Sequence, residues 1–102
     1  MSVLVFIPET LRPECDGAAR ITVFPDEGPA AGGVQDVPLR EVLDELTRLH
    51  PRLRGRLRDE KGALRRYVNV FVDDDECRAV DGLDTPVRPG AEVRVLPSVA
   101  GG

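Results

Sequence analysis

The chain has 102 residues, 41% apolar and 31% charged, which suits one globular domain with a single core and leaves no room for a second. Its net charge of −4 is uneven, because residues 48–66 hold eight of the fourteen basic residues and two acidic ones, so that segment is +6 and the remainder −10. This balance speaks against nucleic-acid binding; no apolar run reaches membrane-spanning length, and Met1 to Pro8 lacks the basic start and cleavage site of a secretory signal, so a cytoplasmic protein is expected.

Residues 3–7, Val-Leu-Val-Phe-Ile, are apolar at every position and predict a central strand covered on both faces. Pro8 and Pro13 break it, and Asp16-Gly17 supplies a turn, with Cys15 read as a loop residue. Arg20 to Phe24 follows as a half-buried edge strand, with Ile21 and Val23 on one face and Thr22 on the other. Pro25 to Gly33, rich in Gly, Ala and Pro, reads as a loop. Leu39, Val42, Leu43, Leu46 and Leu49 then recur at helical spacing, predicting one amphipathic helix over 38–49 with Pro38 at its first position and Pro51 beyond its end. Leu53 and Leu57 suggest a short irregular turn before a basic loop. The basic segment is either a patch that docks a partner protein or a solvated helix end and loop.

Tyr67 to Val72 alternates as a strand, Asp73-Asp74-Asp75 turns it, and a short return strand is expected around Cys77 and Arg78. A turn explains that acidic run better than a metal site, since the glycine and ligand spacing of a calcium loop are absent. Arg88-Pro89-Gly90 is a further turn, and Glu92 to Leu96 is the last strand, with Pro97 stopping its pairing. Strand, strand, helix, strand, short strand, strand is the order of an α+β β-grasp: a mixed sheet of four to five strands with one main helix across it. The domain is expected to span 1–97, with 98–102 a flexible tail.

Catalytic parts are missing. His50 is the one histidine, at the helix end, where a surface or capping role fits. Cys15 and Cys77 belong to no Cys-x-x-Cys or zinc spacing, and no phosphate-binding glycine motif occurs. Neither a bound cofactor nor a metal is expected. The end of the chain is different. Arg94 is the last charged side chain, and Leu96 to Gly102 closes on Gly101-Gly102, a pair that chance would place there in about one chain in two hundred. From Ser98 onward an extended tail reaches about 17 Å, enough to thread a carboxylate into another protein's active site, and glycine passes a narrow channel because it lacks a Cβ. The bland alternative is a flexible end.

The ending Leu96-Pro97-Ser98-Val99-Ala100-Gly101-Gly102, preceded by Pro89-Gly90-Ala91-Glu92-Val93, resembles the ThiS/MoaD family of ubiquitin-like sulfur carriers. Ile7-Pro8-Glu9-Thr10-Leu11-Arg12-Pro13 and Arg66-Tyr67-Val68-Asn69-Val70-Phe71-Val72-Asp73-Asp74 are similar to its actinobacterial, CysO-like branch of cysteine biosynthesis. The resemblance implies a carrier and not an enzyme, monomeric when free. A ubiquitin-activating-type enzyme (MoeZ- or MoeB-like), often fused to a rhodanese domain, would use ATP to adenylate Gly102 and turn it into a thiocarboxylate. Val99, Ala100 and Gly101 would line the partner's channel, and Phe71 with Leu96 would belong to a docking face. The sulfur acceptor would be a cysteine synthase, a thiosugar synthase or a molybdopterin-type enzyme. A protein modifier forming isopeptide bonds through Gly102, and a β-grasp module without covalent chemistry, are the competing readings.

Overall fold

A computed structural model describes residues 2–25 and 36–97. Strand β1 (Val3–Phe6) pairs antiparallel with β2 (Arg20–Val23) and parallel with β7 (Glu92–Pro97). On its other side β7 runs antiparallel to β4 (Val68–Val72), which turns back into the two-residue β5 (Asp75–Glu76). The mixed sheet has the order β2-β1-β7-β4-β5, so the last strand in sequence is the central one. Helix α1 (Leu39–Leu49) buries Leu39, Val42, Leu43 and Leu46, which join one core with Val3, Val5, Val23, Val70, Val93 and Val95 from the sheet. This is the expected α+β β-grasp, the ubiquitin-like fold.

Local chemistry sets the element boundaries. Pro89 and Gly90 form a turn closed by the Ala91 N–H donating to the Arg88 carbonyl at 3.0 Å; Gly90 takes φ +83°, the left-handed value that its missing Cβ permits at the third turn position. That turn delivers the chain directly into β7. Asp73, also left-handed at φ 54°, ties the β4–β5 turn to β7: its N–H donates to the Glu92 carbonyl at 2.7 Å and its Oδ1 accepts from the Glu92 N–H at 3.1 Å.

Several expectations need correction. Pro38 precedes the helix instead of opening it, because β3 (Val37–Pro38) is held in a small ladder with β6 (Pro86–Val87); the helix starts at Leu39, whose N–H donates to the Thr85 carbonyl at 2.9 Å. Leu49 is 43% exposed, since the core beyond the last helical turn is filled from across Pro51 by Leu53 and by Leu57 of the one-turn helix α2 (Arg54–Leu57). β1 lies inside the sheet, yet only Val3 and Val5 are buried; Leu4 and Phe6 are half-buried on the face without a helix. Cys15 is buried at the end of a 3₁₀ segment, Glu9–Cys15, and Cys77 opens another, Cys77–Ala79, just after the return strand at Asp75–Glu76. The last strand extends through Pro97, which stands in register opposite Val68. Most of the Pro25 to Gly33 loop and the whole 98–102 tail lie outside the described residues.

Candidate functional site

Alternation along the strands builds one open face of the sheet. Val93 and Val95 of β7 point into the core, so Arg94 and Leu96 point the other way. Their register partners share that face: Phe6 and Phe71 stand opposite Arg94, and Asn69 opposite Leu96. Arg20 on β2 is opposite Phe6, and Glu76 on β5 is opposite Phe71. The family resemblance singled out Phe71 and Leu96; they occupy neighbouring register positions of this face, Phe71 half-buried and Leu96 43% exposed. It missed Phe6 and Arg94. The Arg94 guanidinium sits 5.4 Å above the Phe6 ring and 3.3 Å from a Glu92 carboxylate oxygen. No local signal places Phe6 here, because Leu4 and Phe6 are as apolar as Val3 and Val5.

Leu96 separates two recesses. On one side a groove of about 250 Å³ is lined by Phe6, Pro8, Arg12, Arg20 and Arg94 among others. On the other, a smaller recess of about 70 Å³ lies between Thr10, Leu11, Arg56, Tyr67 and Val68. Tyr67, 49% exposed, stands beside the Val68–Pro97 pair. The described chain therefore ends beside a strip of Tyr67, Leu96 and Phe71, interrupted by Asn69 opposite Leu96. Val99, Ala100, Gly101 and Gly102 lie beyond it, outside the described residues.

Little else suits chemistry. Burial pushes both thiols up, Cys15 with help from the charges of Glu14 and Asp16 and Cys77 with help from Glu76, which disfavours the reactive thiolate. The His50 N–H donates to the Leu46 carbonyl at 2.9 Å and closes α1. Among the described residues no group of three or more His, Cys, Asp or Glu side chains is placed to hold a metal ion, and no helix is long and apolar enough to cross a membrane. Within the basic segment, Arg58 pairs with Asp44 at 2.6 Å and Arg56 with Glu14 at 3.1 Å, so part of it is anchored in the fold.

The family model described as the ThiS family matches residues 21–102, through the terminal glycine pair. The chain is 34% identical over 104 residues to the sulfur carrier protein CysO of Mycobacterium tuberculosis, with 100% of both chains covered; the crystal structure of that organism's CysO matches with TM-score 0.76 at 31% identity, over 95% of this chain and 99% of that one. The crystal structure of the Amycolatopsis orientalis BexX/CysO complex matches with TM-score 0.78 at 31% identity, covering 98% of this chain and 99% of that chain. SAMP1 from Haloferax volcanii, 24% identical over 100% of both chains, shares the fold at TM-score 0.78.

Proposed function

We propose, from the premise that this chain belongs to the ThiS family and is a CysO-like sulfur carrier protein, that its sulfur is carried on Gly102 as a thiocarboxylate. The carrier is not itself an enzyme, and activation falls to a partner. In that step the Gly102 carboxylate oxygen attacks the α-phosphorus of ATP held by a ubiquitin-activating-type enzyme and pyrophosphate leaves. A hydrosulfide equivalent then attacks the acyl carbon and AMP departs with one of the terminal oxygens, leaving sulfur in its place. The protein's part is presentation: the domain holds the carboxylate at the end of a narrow tail that a water-excluding site can admit.

The observation that carries this reading is the exit of the chain from the central strand. β7 is held by a ladder to β1 up to Arg94 and by a ladder to β4 up to Pro97, so whatever follows starts from the paired end of the sheet's central strand. Val99, Ala100 and Gly101 are the residues that would line the partner's channel, and Phe71 and Leu96 would meet the partner's surface. A cysteine synthase is the acceptor that the CysO-like character favours, with a thiosugar or molybdopterin-type synthase as the alternative; the cell compartment is the cytoplasm, where these enzymes work.

The test is intact mass spectrometry after incubation with a rhodanese-fused adenylating enzyme, ATP, thiosulfate and a thiol reductant that releases its sulfur at the sulfide level. Replacement of one oxygen by sulfur, located on the C-terminal peptide, is the expected result. An unmodified terminus under conditions that thiolate a known carrier would overturn the reading, and higher-mass conjugates in a lysate would point to a protein modifier.

A further inference from the structure

Among the described residues, arginines gather beside Leu96 and a run of aspartates stands at the far end of β4. At the end from which the tail leaves, Arg12, Arg20 and Arg94 line the groove on one side of Leu96. Arg56 lines the recess on the other side, and Arg66 is two residues ahead of Val68, the register partner of Pro97. At the opposite end of β4, one strand length or about 13 Å away, stands the exposed run Asp73-Asp74-Asp75. Asp36 shares a recess with Asp73 and Asp75 there, with Arg88 as the one cation.

Carboxylates at the tail end offset only part of the positive charge. Glu14 neutralises Arg56, and Arg94 is reached by Glu92 from the other end of β7, while Glu9 and Asp16 are exposed on the 3₁₀ segment. The Arg12 Nε donates to the Ile7 carbonyl at 3.0 Å, a neutral partner that leaves its charge unbalanced. Arg20 and Arg66 are exposed and enter no ion pair or side-chain hydrogen bond among the described residues. Folding therefore holds these arginines around the root of the tail without using up their charge. In a chain of net charge −4, such a concentration at one end orients the molecule in the field of a negatively charged surface, tail first.

We propose that this arginine rim is a steering and docking element, and that it seats on a carboxylate-lined lip around the tail-accepting channel of the activating enzyme. The inference rests on the tail-threading reading above and names the chemistry of the surface that receives it. An acidic protein surface fits better than nucleic acid, because the acidic hairpin end would be repelled by any extended polyanion. Specificity follows as well: an enzyme whose channel mouth is basic would reject this carrier whatever its tail sequence.

The experiment measures the association rate of the full chain with the adenylating enzyme at about 50 and about 300 mM salt, for the wild type, the double variant Arg20→Glu/Arg66→Glu, and the control Asp74→Lys. Thermal unfolding checks that each variant is folded. The wild-type rate is expected to fall at least tenfold with salt, and the arginine variant to associate at least tenfold more slowly at low salt with most of the salt dependence gone. Asp74→Lys should associate as fast as the wild type or faster. A salt-independent wild-type rate, an unimpaired arginine variant, or binding of the wild type to a DNA duplex in preference to the enzyme would overturn the proposal. Steered association without any thiocarboxylate in the mass spectrum would support the rim and overturn the carrier reading instead, so the two failures are distinct.

Discussion

Pro97 stands opposite Val68 in the ladder between the central strand and β4. Proline has no N–H to give to a ladder and is tolerated at a strand end, so the pairing closes there. The described pairing thus ends at one defined position, with Tyr67 and Leu96 beside it.

The first consequence concerns the tail. The core is complete within the described residues, so deleting Gly101-Gly102, or the change Gly102→Phe, should leave the thermal midpoint within about 2 °C while abolishing thiocarboxylate formation. Calorimetry beside intact mass spectrometry checks both halves; a loss of stability comparable to a core truncation would show that the tail packs on the domain.

Leu96 and Phe71 offer a different separation. Leu96 is 43% exposed, so Leu96→Asp should change stability by no more than about 0.5 kcal/mol, the usual range for a surface position. If the strip meets the partner, the same variant should raise the KM for the carrier in the thiolation reaction about tenfold or more. An unchanged KM for both Leu96→Asp and Phe71→Ser would remove these residues from the docking face.

The helix makes a paired prediction. Leu46 is fully buried, and Leu46→Ala should cost about 2–5 kcal/mol, whereas Leu49→Ala at a 43% exposed site should cost about 0.5 kcal/mol or less. Urea denaturation of the two variants side by side measures the difference. Equal costs would mean that the last helical turn is packed.

Both cysteines should resist alkylation. Burial holds the thiols of Cys15 and Cys77 protonated above their ordinary range, so iodoacetamide at pH 8 should label them only after unfolding. The linkage has a definite sign. Since the folded pKa values are raised, the folded state keeps protons that the unfolded chain releases, and their contribution to stability is present below the unfolded thiol pKa and lost as pH climbs through the folded values. Denaturation midpoints should therefore fall from about pH 9 upward, and Cys77→Ala should flatten part of that decline. Rapid labelling of the native protein would contradict the buried positions.

Much of this molecule was legible in the linear chain because the deciding interactions are local. The spacing of Leu39, Val42, Leu43 and Leu46 suits a helix with one apolar face, and the alternation of Val68, Val70 and Val72 a strand with one; Pro89-Gly90 supplies a turn. What the chain could not disclose depends on where the helix comes to rest. Leu4 and Phe6 are as apolar as Val3 and Val5, yet only one pair lies beneath α1, so the second face of β1 is open and Phe6 meets Arg94 instead of the core. Pro38 is drawn out of the helix by a ladder to Pro86 and Val87, far along the chain. Likewise Arg20 and the basic segment with Arg56 and Arg66 look unrelated in the chain until the fold sets Arg20 in the groove on one side of Leu96 and Arg56 in the recess on the other. Periodicity determines which residues seek burial; only the tertiary contacts decide which face is left uncovered, because a face is open or closed according to what packs on it and not according to its own residues.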